Sequence, residues 1–234
     1  MSGLFKFVEW PCPDGGDGDT RSEAALVFDR GRQDRLLVIP PLFEEANKLR
    51  HLLVEVMARL DGSEIDAVLP DLPGCNESLA PLAQQTLTGW RAGMAAAARH
   101  FRATRVLAVR GGALLRPAGL AGWDYSPQDG PKILRSMVRA RIIASKEAGQ
   151  PETREEIEAK GRAEGIALAG WQIGPAMFTA LENAAVPAHR DEVSLLDQET
   201  IGGRPLWLRA EPDYDPAQAD ALAAVIAVAM RQQA

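Results

Sequence analysis

From Arg35 onward the chain repeats one pattern, a short unbroken apolar run followed by a longer amphipathic stretch. Residues 36–39 (LLVI) stop at Pro40 and Pro41, residues 67–69 (AVL) stop at Pro70, and residues 106–109 read VLAV. A run of four apolar residues with no polar alternation suits a strand buried on both faces, while the prolines that follow cannot continue a sheet ladder. Between these runs, Leu49, Leu52, Leu53, Val56, Met57 and Leu60 recur at helical spacing, with Arg50, Glu55 and Arg59 on the other side. Leu87, Trp90, Met94, Ala97 and Phe101 mark a second helix. Strand, helix, strand, helix, strand predicts a parallel sheet with helices on its faces.

The ends of the chain read differently. Residues 4–10 (LFKFVEW) alternate weakly, residues 11–19 (PCPDGGDGD) are turn formers, and residues 23–28 (EAALVF) return, which predicts an N-terminal antiparallel hairpin. Asp14, Asp17 and Asp19 at its tip lack the later glutamate of a calcium loop, so a plain turn is expected. Downstream, the patterns predict strands at 119–125, 166–173, 193–196 and 205–209. Helices are predicted at 131–148, 175–183 and 216–231, and residues 150–162 form a charged, solvated face that Pro151 opens. No internal repeat or long linker divides the chain, and a single domain over 1–234 is expected.

Charge narrows the partners. Twenty-six basic against thirty-two acidic residues leave a net charge of −6, so no basic surface for nucleic acid is expected and a small-molecule or protein partner fits better. No run reaches the roughly 18 apolar residues of a membrane span. The N-terminus lacks a signal-peptide pattern, which makes the cytoplasm the expected compartment. Cys12 and Cys75 are too few for a disulfide framework and suit a reducing environment. No cysteine or histidine pair has metal-ligand spacing, and neither a metal nor a cofactor is expected. Oligomeric state is not legible.

In an open parallel sheet, ligands bind beyond the carboxyl ends of the strands. The three loops there read PPLFEEANKLR from Pro40, DLPGCNES from Asp71, and AVRGGA around Arg110. The run VLPDLPGCNES resembles the loop that precedes the nucleophile elbow of α/β-hydrolases, and the elbow position then falls on Arg110 in Ala-Val-Arg-Gly-Gly. These motifs, with WDYSPQDGPKILRSMVRAR and AGWQIGPAMFTAL, are similar to the exosortase-associated hydrolases, type 2, over roughly residues 36 to 209. The resemblance implies an α/β-hydrolase-like fold, a mostly parallel sheet flanked by helices after an N-terminal antiparallel hairpin. It also implies a link to exopolysaccharide or protein-sorting loci of Gram-negative bacteria.

The residues depart from the hydrolase pattern where chemistry would occur. An elbow works through a serine that meets an imidazole and two backbone N–H donors. Arg110 is permanently protonated and can only donate. None of His51, His100 and His189 follows the last predicted strand. His51 and His100 fall within predicted helices and read as surface or helix-end residues, His189 as a loop residue. Arg116-Pro117 also cuts short the helix after the elbow. A degenerate hydrolase that binds without cleaving is therefore expected. The alternative is a non-standard hydrolase built from Glu44 or Glu45, Arg110 and Cys75. Glu44 and Glu45 sit in a first helical turn, where the dipole favours carboxylates, and only one can readily face the crevice. Arg110 is the natural counter-charge, either as a structural ion pair or as a ligand-binding group, and Asn47, Arg50, Asp71 and Asn76 complete the candidate ligand-binding set. Cys75 reads as a buried, inert thiol beside Asp71 and Glu77, and Trp90, Trp123, Trp171 and Trp207 read as core or pocket wall.

Overall fold

The computed structural model describes residues 5–15, 18–188 and 192–232. The chain opens with β1 (Lys6–Pro13) and β2 (Thr20–Phe28), paired antiparallel as the hairpin pattern predicts. Asp17 at its tip lies outside the described residues, as does His189. Next come β3 (Arg35–Ile39), α1 (Glu44–Gly62), β4 (Asp66–Pro70), α2 (Leu87–His100), β5 (Arg105–Val109), a six-residue 3-10 turn (Arg110–Leu115) and β6 (Gly122–Tyr125). The remainder is α3 (Gly130–Glu147), α4 (Arg154–Ala163), β7 (Ile166–Leu168), β8 (Trp171–Ile173), α5 (Pro175–Asn183), β9 (Val193–Leu196), α6 (Gln198–Ile201) and α7 (Pro216–Gln232). Seven strands form one sheet in the order β1-β2-β4-β3-β5-β6-β9, parallel except where β2 meets β1 and β4.

Alternation along each strand divides the core into two layers. Leu36, Val38, Leu107, Val109, Trp123 and Tyr125 face the side covered by α1 and α7, whereas Leu37, Ile39, Val106 and Ala108 face α2 and α3. Every residue of β3 is buried, and each large side chain so buried contributes about 1.5–3 kcal/mol. No helix among the described residues is long and apolar enough to cross a membrane.

Three predicted elements take another form. Residues 166–173 are two three-residue strands, turned by Ala169 (φ 49°) and Gly170 (φ 84°). Residues 205–209 contain a 3-10 turn, Leu206–Leu208, in place of a strand, and the described sheet ends at β9. The charged helix α4 starts at Arg154, not at Pro151, because Thr153 and Glu156 form a reciprocal capping box that satisfies orphan N–H groups at that end.

Candidate functional site

β5 delivers Arg110 to the carboxyl edge of the sheet in a left-handed conformation, φ 55°. Such a backbone costs a non-glycine residue about 1–3 kcal/mol and persists only where its surroundings enforce it. Two features enforce it here. The following turn packs so closely on the end of β3 that a Cβ at Gly112 would lie 2.5 Å from the Pro40 carbonyl. The Arg110 side chain is then anchored on several sides. Its Nε donates to Glu45 Oε2 (3.0 Å) and its Nη2 to Glu45 Oε1 (3.2 Å) and Gln128 Oε1 (2.7 Å), while Nη1 donates to the Ser126 carbonyl (2.7 Å). The guanidinium carbon lies 4.2 Å from the Trp207 ring centroid. Four of five N–H donors are thus engaged and one face is stacked, with 12% of the side chain exposed.

The partners are positioned by their own local chemistry. Ser126 follows β6 in a second left-handed conformation (φ 44°), and Gln128 N donates back to the Arg110 carbonyl at 3.2 Å, so the two turns cross-link. On the other side, Phe43 enters α1 with φ 56° and buries its ring 5.7 Å from Trp90 and 5.9 Å from Trp171. Of the two adjacent glutamates, only one turns to the crevice. Glu45 faces Arg110, whereas Glu44 is 56% exposed and pairs with Lys48 at 2.8 Å. Beneath them Tyr125 is fully buried; its hydroxyl donates to Gln198 Oε1, and burial pushes the phenol above its ordinary range against the opposing influence of Arg110.

The remaining candidates form a separate network. Asp71, 1% exposed, accepts from Arg50 Nη1 (3.0 Å) and Asn76 Nδ2 (2.8 Å), and Asn47 is exposed on α1. Neither Arg50, Asp71 nor Asn76 shares a hydrogen bond with Arg110 or Glu45 among the described residues. Cys75 lies beside Asp71 and Glu23, and its thiol is pushed up to about 12, first by burial and then by those two carboxylates. Cys12 is pushed up to about 12 by burial and Glu23. Burial also raises the Glu23 carboxyl, which accepts from Ser78 Oγ at 2.9 Å. A thiolate is therefore scarce at neutral pH. Among the histidines, His51 stacks on Tyr214 at 4.3 Å, and His100 packs against Trp10 and Phe101 at the end of α2.

Sequence reading missed Phe43, Tyr125, Ser126 and Gln128 and assigned Trp207 only generically. The available signal was the loop Ser126–Gln128 itself, which also follows the carboxyl end of a parallel strand. Chemically, the crevice holds a fixed positive charge with four of its five donors committed, and among the described residues no nucleophile or base is bonded to it beyond the paired Glu45.

No family model matches the sequence, and no curated protein matches it. Solved structures do resemble it. Est1E from Butyrivibrio proteoclasticus, determined with ferulic acid bound, aligns with 91% of this chain and 95% of its own at 13% identity, TM-score 0.56. Alpha/beta hydrolase domain-containing protein 10 from mouse aligns over 99% and 100% at 12% identity, TM-score 0.51. A protein of Agrobacterium vitis S4, assigned as a hydrolase, aligns over 98% of both chains at 15% identity, TM-score 0.50. With this sheet order and these likenesses, the chain has the α/β-hydrolase fold.

Proposed function

We propose that this chain is a non-hydrolytic protein of the α/β-hydrolase fold, acting in the cytoplasm by binding, as an accessory to exopolysaccharide biosynthesis or exosortase-dependent export. The observation that carries the first half is Arg110. A guanidinium occupies the strained elbow where a hydrolase holds its nucleophile, and it is tied into a carboxylate, an amide, a carbonyl and an aromatic face. The second half rests on the sequence resemblance to the type 2 exosortase-associated hydrolases. A hydrolase built from Glu44 or Glu45, Arg110 and Cys75 is disfavoured, because Glu44 points outward, both Glu45 oxygens receive Arg110, and the Cys75 thiol holds its proton.

Two experiments test the halves separately. Incubation with a serine-directed fluorophosphonate, read by intact mass, is expected to leave the protein unlabelled; a stoichiometric adduct on Ser78 or Ser126 would overturn the non-hydrolytic reading. Deletion of the gene in its host is expected to reduce exopolysaccharide or exosortase-dependent export. Unchanged levels of both would remove the link and leave the first half standing.

A further inference from the structure

A cavity of about 140 Å³ lies on the other face of β6 from Tyr125, bounded by Asp124 of that strand and by Arg116. It shares no wall with the Arg110 crevice and stands independently of the function proposed above. Its origin is the early end of the turn after the elbow. At Arg116 the backbone becomes extended (ψ 127°), and Pro117 carries the chain away from the sheet. Space is left between Ala113, Leu120 and Val193, with Ala118 and Pro187 at the exposed rim. Leu195, the register partner of Asp124 on β9, stays 51% exposed beside it.

Two polar features distinguish this cavity from a packing gap. Arg116 and Asp124 form an ion pair with side chains only 10% and 4% exposed. Both of its guanidinium contacts, from Nε at 3.1 Å and from Nη2, fall on the single oxygen Asp124 Oδ1. The third nitrogen, Nη1, is shielded from solvent and reaches no acceptor among the described residues. A buried donor without a partner is rare in native structures and marks where an acceptor can be taken.

We propose that this cavity is a binding site for a small, neutral carbonyl compound with an aromatic or short alkyl body, its oxygen accepting from Arg116. Size sets the body: an apolar cavity of roughly 150 Å³ holds a benzene-sized molecule. Charge sets the polar group. The ion pair is internally neutral, and Glu192 on the wall adds a negative charge, so a carboxylate is repelled whereas a carbonyl dipole is not. The apolar part of the wall, Ala113, Leu120 and Val193, lowers the local dielectric and so strengthens a hydrogen bond made beside it.

The test uses the full-length protein and three probes of matched size: acetophenone, ethylbenzene and benzoate. Amide chemical shifts are followed by NMR during titration. Acetophenone is expected to bind saturably and to shift residues around Ala113, Leu120 and Val193. Ethylbenzene, lacking the acceptor, is expected to bind about tenfold more weakly, the usual worth of one hydrogen bond, and benzoate more weakly than acetophenone. Ala118→Trp, at an exposed rim position where folding is not threatened, is expected to abolish binding and leave the remaining spectrum in place. Absence of saturable acetophenone binding, or binding that survives Ala118→Trp, would overturn the site. Equal affinity for ethylbenzene, or tighter binding of benzoate, would overturn the assigned ligand class.

Discussion

Arg110 and Arg116 bracket the same short helical turn and are almost equally buried, yet they are treated oppositely. Arg110 spreads its charge over four acceptor contacts and an aromatic face. Arg116 places two contacts on one carboxylate oxygen and leaves a nitrogen without any among the described residues. A largely satisfied cation fills the crevice at the carboxyl edge of the sheet, and an under-satisfied one lines a space that is still open. The difference teaches that burial alone does not tell the two arginines apart; the number of unmet donors does.

The comparison breaks most readily at Arg116. Arg116→Met leaves Asp124 charged and enclosed, and we expect a loss of about 3–5 kcal/mol in urea unfolding. Arg110→Ala should cost less, about 2–3 kcal/mol. Its partner Glu45 is 23% exposed and can rehydrate, whereas Asp124 cannot. If the order is reversed, the contrast between the two arginines fails.

The acidic corner around Glu23 and Asp71 sharpens the contrast by supplying negative charge beside two thiols. There the native state keeps the Cys75 and Cys12 protons up to about pH 12, while the unfolded chain releases them near its ordinary thiol range, about 8.5. Stability is therefore fully present below that range and is lost as pH rises from there toward 12. Near pH 10.5 the loss is at most about 3 kcal/mol per thiol. Cys75→Ala should flatten the decline between about pH 8 and 10.5, as read from unfolding midpoints. The smallest effects separate the adjacent glutamates. Glu45→Gln removes the counter-charge of Arg110 and should cost about 1–2 kcal/mol, while Glu44→Gln, on an exposed pair with Lys48, should stay within about 0.5 kcal/mol.

How far the sequence carries depends on whether the deciding interaction is local. The runs LLVI and VLAV need no partner to announce a doubly covered strand, and the heptad-like leucines of α1 announce the helix beside it. Residues 205–209 (PLWLR) also look like a strand, but Trp207 lies over Arg110 and its ring meets Tyr125 edge-on at 5.8 Å, a tertiary demand that a periodicity count cannot register. The hairpin within 166–173 was hidden because three-residue strands are too short to show a period of two and because Ala169, not a glycine alone, takes part in the turn. At the crevice, Arg110 and a glutamate partner were legible from charge and loop position. Which glutamate faces it was not, since that depends on how α1 is rotated about its axis against the sheet.

The elbow also has a history within each folding event. Arg110 meets Ser126 across 16 residues and Glu45 across 65, and its contact with Trp207 joins still more distant parts of the chain. Closing those loops costs entropy before any of the bonds can form, so the left-handed turn gains its compensation only once β3, β5 and β6 lie side by side. A contact assembled after the main barrier does little to hasten folding. Such contacts slow unfolding more than they speed folding, and the long-range contacts of Arg110 are expected to act as a brake on unfolding.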